Sequence, residues 1–185
     1  MKDILVPAAV LTGIALVVTA MLAFTNALTK PIIDENQKRE ADSAKYEMLP
    51  NADNFTSADL TGDLTALGVG DLSLADNGAG AVVTVTQKGY NGEFSIMVAF
   101  NPDGAVVAFK ALVQDETAGL GSNAFIPPFA DQFTGKNPGE LTVVKGPAGG
   151  ADEISSVTGA TISSKAVTLA INNAGKAFAL AKEAA

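Results

Sequence analysis

The sequence begins with an uninterrupted apolar run that carries no charged side chain from Ile4 to Thr29. About 20 such residues in a helix suffice to cross the hydrocarbon core of a bilayer, so this run predicts a single transmembrane anchor in residues 1–30. Two alternatives remain open, namely a buried core helix and a cleaved signal peptide. A buried core helix rarely runs this long without a polar face, and the run exceeds the 7–15 apolar residues or so of a cleaved signal peptide.

The rest of the chain is acidic. Residues 31–185 contain 10 Lys and Arg against 19 Asp and Glu, which gives a net charge of −9. This charge favours solubility and disfavours binding to nucleic acid or to anionic headgroups. We therefore expect no nucleic acid among the partners. Residues 31–50 predict a stalk helix next to the membrane, and residues 51–185 predict one folded domain.

The absence of two residue types limits the chemistry of this domain. The chain has no cysteine and no histidine. Disulfides, Cys-ligated metal clusters and Ser-His or Cys-His nucleophiles are therefore excluded. A redox or group-transfer role would need a cofactor to supply the reactive atoms, so we expect no independent active site.

Strand and helix patterns follow one another along the domain. The runs at 81–87, 94–100 and 105–114 predict strands, joined by turns such as Asn101-Pro-Asp-Gly104, so consecutive hairpins predict an antiparallel sheet. A short strand is expected at 141–144. Ile162 to Ala181 predicts an amphipathic helix whose alanines allow close packing. The fold class is therefore α+β, with a C-terminal helix packed on the sheet.

One segment has the composition of an anion site. Ser155 to Lys165 reads SSVTGATISSK, with a glycine among hydroxyl residues immediately before the predicted helix. The free N–H groups and the positive dipole end of a helix N-terminus favour phosphate. An ordinary Ser/Thr-rich helix start would have the same composition. The Walker A pattern is absent.

A second segment, Glu116 to Gly121, reads ETAGLG. Glycines spaced this closely let a backbone approach a ligand, but an ordinary turn is an equal alternative.

Taken together, these motifs resemble a known family. Thr158-Gly-Ala-Thr161-Ile-Ser163 is similar to the [ST]-G-A-T-x-[ST] motif of domains that carry FMN covalently on threonine. The segment from Glu116 resembles their E-T-P-G-L-G motif, with Ala118 at the usual proline, and Lys88-Gly-Tyr-Asn-Gly92 resembles their preceding G-Y-x-G segment. The usual Asp before the first motif is replaced by Ser155. With the N-terminal anchor, the chain resembles the RnfG family of Rnf electron-transport complexes, which is related to the NqrC component of the sodium-pumping NADH:quinone reductase.

The resemblance implies a cofactor and a set of residues that hold it. Thr161 would bear FMN through a phosphoester bond, which a dedicated flavin transferase would form. Thr161 would be accompanied at the attachment site by Thr158, Gly159, Ala160, Ser163, Ser164 and Lys165. The flavin itself would be approached by Glu116, Thr117, Gly119, Leu120 and Gly121.

The resemblance also implies a role and a location. The chain would be the electron-transfer subunit of a membrane-bound, ion-translocating ferredoxin:NAD oxidoreductase, with the other Rnf subunits as partners. Its domain would lie on the extracytoplasmic face, whereas the count of Lys2 against Lys30, Lys38 and Arg39 slightly favours the opposite orientation. Two alternatives are a pilin-like structural protein and an anchored flavoprotein with noncovalent FMN.

Overall fold

The computed structural model describes residues 2–59 and 62–184. Its helices are α1 (Lys2–Met48), α2 (Gly62–Ala66) and α3 (Thr161–Ala184), with short 3-10 helices at Gly121–Phe125 and Ala130–Phe133. Its strands are β1 (Phe55–Ser57), β2 (Val69–Ala75), β3 (Ala81–Lys88), β4 (Glu93–Phe100), β5 (Val106–Val113), β6 (Thr142–Val144) and β7 (Glu153–Ser155). The chain divides into two compact units, Met1–Glu40 and Ala41–Ala185.

The first unit is helical and apolar. Among the described residues, one helical span, which begins at Ile4, is long and apolar enough to cross a bilayer, with a mean hydropathy of 2.4 in its apolar window. Large side chains such as Leu11 and Phe24 are exposed all around it. The hydroxyls of Thr12 and Thr25 donate to carbonyls four residues earlier, so neither needs water. The length and composition of the span are those expected of a membrane anchor.

The second unit contains the predicted antiparallel sheet. Strands β1 to β5 pair in sequence order, each antiparallel to the next. The α+β prediction with a C-terminal packing helix is confirmed. The strands predicted at 81–87, 94–100 and 105–114 correspond to β3, β4 and β5 within one residue at every end.

Both faces of this sheet are covered. In β4, Phe94, Ile96 and Val98 face the core shared with α3, while Met97 and Ala99 belong to a second core. Successive side chains of a strand point to opposite faces, so two buried faces require the continuous apolar run found there. The second core is completed by the end of α1 and the turn after it, through Ala44, Met48, Leu49 and Ala52.

Helix α3 packs on the sheet with small residues. Ala170, Ala174 and Ala177 are fully buried along one side, next to Val167 and Ile171. Alanine costs no side-chain entropy and lets the helix axis approach the strands closely. The parallel two-stranded ribbon of β6 and β7 leads the chain back to the start of α3. This arrangement fixes where the helix N-terminus lies.

Candidate functional site

The two sequence motifs meet at one cleft in the second unit. Its volume is about 370 Å³, within the range of about 300–1,000 Å³ that is typical of small-molecule sites. The loop after β5 supplies one wall and the N-terminus of α3 the other. The lining residues are Tyr90, Glu116, Thr117, Leu120, Gly121, Gly159, Ala160, Thr161, Ile162 and Ser163.

The N-terminus of α3 presents unpaired polar groups to this cleft. Ala160 precedes the helix and has no side-chain oxygen that could cap it. Within the described part of the chain, the backbone N–H groups of Thr161, Ile162 and Ser163 have no acceptor. These groups and the helix dipole favour an anion at this point.

Thr161 is the first residue of α3 and is partly exposed. Among the residues that the structure describes, none forms a hydrogen bond with its hydroxyl group. The hydroxyl therefore lines the cleft beside the free N–H groups. A phosphate bonded to Oγ1 would meet those N–H donors without displacing any internal contact.

The turn before α3 depends on Gly159. Its φ is +80°, a conformation that side-chain-bearing residues rarely adopt. Ser164, one turn into the helix, stabilises the same segment from inside: its buried hydroxyl donates to the Ala160 carbonyl and accepts the Val157 N–H. The glycine and this internal serine together set the direction in which Thr161 faces.

Glu116 joins three segments of the cleft. Its side chain is buried, with 7% of the residue exposed. Oε1 accepts the N–H of Tyr90 at 2.6 Å and, more weakly, that of Asn91 at 3.4 Å, while Oε2 accepts the Ser163 hydroxyl at 2.9 Å. All three partners are donors, which suits a carboxylate, a group that only accepts. The 89–92 turn, the 116–121 loop and α3 are therefore held together at one carboxyl group.

Two glycines leave room for this carboxylate. A Cβ placed on Gly121 would overlap Oε2 of Glu116 and lie 2.8 Å from Oγ of Ser163. A Cβ on Gly89 would overlap Oε1. Gly121 is therefore required because the Glu116 carboxylate lies close to its backbone, whereas the sequence analysis expected a ligand at such a glycine.

The predicted site residues divide into those that line the cleft and those that do not. Eight of the twelve line it. Ser164 is internal, Lys165 is exposed on α3, and Gly119, with φ +75°, turns the loop outside the lining. Thr158 lines an adjacent cleft instead.

Sequence reasoning missed two lining residues, Tyr90 and Ile162. Tyr90 lies in the KGYNG segment, and the resemblance of that segment to the family could have identified Tyr90 as a site residue. At the rim of the cleft, Tyr90 is 67% exposed and Ile162 is 58% exposed. Together with Leu120 they give the cleft an apolar rim, which suits a flat ring system.

The adjacent cleft shares a wall with the first. Its volume is about 450 Å³, and Gly159 and Thr161 line both clefts. It is bounded on its far side by Lys145, Gly146 and Pro147, the loop that follows β6. An anion at Thr161 therefore has helix N–H groups on one side and a cleft with a lysine on the other.

Comparison with known proteins agrees with this geometry. The FMN-binding domain family model matches residues 89–176, and the model of the RnfG N-terminal region matches residues 1–47. The chain is 34% identical to the G component of the proton-translocating ferredoxin:NAD(+) oxidoreductase complex of Clostridium ljungdahlii, over 83% of this chain and 80% of that one. It is also 34% identical to the G component of the Na(+)-translocating ferredoxin:NAD(+) oxidoreductase complex of Acetobacterium woodii, over 88% and 86% of the two chains.

A solved structure shares the fold. The crystal structure of Shewanella oneidensis NqrC superposes with a TM-score of 0.52 at 20% identity, over 70% of each chain. The family resemblance found in the sequence motifs is confirmed by the family-model matches and by the two relatives at 34% identity.

Proposed function

This chain belongs to the RnfG family of ferredoxin:NAD(+) oxidoreductase complexes, and from that membership we propose that it carries FMN as a phosphoester on Thr161. As a member of this family, it is a membrane-associated electron-transfer subunit of an ion-translocating oxidoreductase, and the other Rnf subunits are its partners. The proposal has two further parts. A flavin transferase forms the bond to Thr161, and the domain lies on the extracytoplasmic face of the membrane.

One observation carries the proposed attachment. The hydroxyl of Thr161 has no hydrogen-bonding partner among the described residues, and it lies beside the unpaired N–H groups of the first turn of α3. Among the other hydroxyl residues of this segment, Thr158 lines the adjacent cleft and not this one. Ser163 and Ser164 already use their hydroxyls in internal hydrogen bonds. Thr161 combines a free hydroxyl, an anion-binding backbone and a place in the cleft.

The residues of the cleft fit FMN. Bound there, FMN would supply one- and two-electron transfer. The N–H groups of Thr161, Ile162 and Ser163 would hold the phosphate. Tyr90, Leu120 and Ile162 would shield the ring from water, and the Glu116 carboxylate would keep the loop and the helix at a fixed separation.

Covalent attachment would change no oxidation state. The Thr161 hydroxyl would lose its proton, the Oγ1–phosphorus bond would form, and a bond from phosphorus to the leaving group of the flavin donor would break. A tethered cofactor cannot diffuse away, which suits a domain on the extracytoplasmic face.

The test is flavin fluorescence after denaturation. The full chain, coexpressed with a flavin transferase, should give a fluorescent band on a denaturing gel, and its intact mass should include FMN less one water. Thr161→Ala should abolish both signals. Thr142→Ala, which removes an exposed threonine of β6, is the matched control and should retain them. Fluorescence in Thr161→Ala would overturn the assignment.

The same experiment separates the alternatives. An anchored flavoprotein with noncovalent FMN would release its flavin on denaturation and show the mass of the bare chain. The family membership decides against the pilin-like alternative.

A further inference from the structure

The flavin cleft contains a buried negative charge that no cation neutralises among the described residues. Glu116 is 7% exposed and lines the cleft. None of the ion pairs in the described part of the chain includes it, and its hydrogen-bond donors, two backbone N–H groups and the Ser163 hydroxyl, are neutral. The three segments that line the cleft, 89–92, 116–121 and 159–164, contain no charged residue besides Glu116, and Lys88, Asp115 and Lys165 directly flank them.

We propose that Glu116 is a tuning residue that holds the midpoint potential of the bound flavin low. This inference rests on the proposed function. Reduction brings an electron into the ring, and a fixed, buried negative charge in the lining of the same cleft opposes that change. Coulomb interactions are strongest where solvent cannot screen them. Charge near the ring is one of the means by which a protein sets the electronics of its cofactor.

The construction around Glu116 supports a dedicated role for the charge. Gly89 and Gly121 both give up the space that a Cβ would need, and the carboxylate oxygens occupy that space. The charge is therefore held in place by backbone on two sides and by Ser163 on the third.

The chain offers a variant that removes the charge with little change of shape. In Glu116→Gln, the amide oxygen can still accept the Tyr90 N–H, while the amide nitrogen donates to the Ser163 hydroxyl, which rotates to accept. The network persists and the charge disappears. Asp115→Asn is the matched control, because it removes an equal charge one residue away from an exposed position.

A second variant should act in the opposite direction. Ser163→Ala removes the hydroxyl that donates to Oε2 of Glu116 and leaves the charge less well compensated. The flavin potential should then become more negative. A merely structural role for Glu116 and Ser163 would move both variants in the same direction.

The experiment is a spectroelectrochemical titration of the full-length, detergent-solubilised protein, with covalent flavin verified on a denaturing gel. We expect the potential of Glu116→Gln to be more positive than that of the unmodified chain, that of Ser163→Ala to be more negative, and that of Asp115→Asn to be unchanged. If Glu116→Gln does not acquire flavin, the direction of the potential shift in Ser163→Ala decides. A negative shift supports the proposal, and a positive shift overturns it. Potentials equal to that of the unmodified chain in both variants would overturn the proposal.

Lys145→Gln tests the neighbouring cleft. A negative shift in this variant, together with no shift in Glu116→Gln, would also overturn the proposal, because it would mean that the ring lies on the Lys145 side. Absence of covalent flavin from the unmodified chain would instead count against the proposed function, so the two failures are distinguishable.

Discussion

The hydroxyl of Ser163 donates a hydrogen bond of 2.9 Å to Oε2 of Glu116, a residue 47 positions earlier in the chain. The bond connects the start of α3 to the loop after β5. Since these two elements form the opposite walls of the cleft, this contact sets the width of the cleft.

Gly121→Ala should disturb this contact. The added Cβ would overlap Oε2 of Glu116 and approach Oγ of Ser163, so we expect a loss of about 1–3 kcal/mol in the free energy of unfolding, as for other overpacked sites. Denaturant unfolding followed by circular dichroism measures it. Gly62→Ala, where a Cβ meets nothing within 4 Å, is the control and should not be destabilised. Equal stability of the two variants would contradict the prediction.

Glu153→Gln should make stability depend less on pH. The N–H groups of Gly149 and Gly150 donate to its carboxylate and lower the pKa of Glu153 below the ordinary value of 4.5. A lowered pKa in the folded state stabilises the protein above the unfolded-state pKa, and this contribution is lost as the pH falls through the folded-state value. The melting temperature of the variant should lie below that of the unmodified chain at pH 7. The gap should narrow as the pH falls below about 4.5 and close below the folded-state pKa of Glu153. A gap that persists unchanged into acid would refute this explanation.

Lys45→Met should loosen the end of α1 from the sheet. The Lys45 ammonium binds Asp71 at 3.0 Å and the fully buried Ser73 hydroxyl at 2.9 Å. Breaking a fully buried pair costs about 3–5 kcal/mol, but the Asp71 side chain is 35% exposed, so we expect about 1–2 kcal/mol. Thermal unfolding in detergent measures the loss. Lys110→Gln breaks the exposed pair with Glu47 and should cost less than about 1 kcal/mol. A larger loss of stability in Lys110→Gln than in Lys45→Met would contradict the prediction.

Asn172→Leu should release the segment before β6 from α3. The buried Asn172 amide accepts the N–H groups of Gly139 and Leu141 and donates to the Leu141 carbonyl. Each backbone group left buried and unpaired costs about 1–3 kcal/mol, so we expect a total loss of several kcal/mol. Asn173→Leu, which removes a single bond to the Leu67 carbonyl, should be milder. Hydrogen exchange at Leu141 should rise in Asn172→Leu only. Protection retained there would argue against this role.

The sequence predicts most of the regular structure because its signals are local. The apolar runs of β3 and β4 and the periodic alanines of α3 lie within single elements, and all three elements form where they are predicted. The two motifs likewise identify eight residues that line the cleft.

The remaining features depend on contacts between distant residues. Nothing in the sequence around Glu116 indicates that Ser163 is its partner, or that Tyr90 lies at the rim of the same cleft. The attachment of Lys45 to Asp71 and Ser73 is equally non-local. A strand pattern indicates which face is buried, but it does not indicate what covers that face. The packing of the end of α1 on the sheet was therefore not predictable.

The order of the strands has a consequence for synthesis of the protein. Each strand of the five-stranded sheet pairs with its neighbour in sequence, so the whole sheet can form from short-range contacts as the chain emerges. One wall of the cleft, however, is the start of α3, and the fully buried residues of that helix extend to Ala177. The cleft therefore does not form until α3 has been synthesised and has packed on the sheet. The attachment proposed at Thr161 would therefore follow the synthesis of α3, and it could act as a check that the domain has folded.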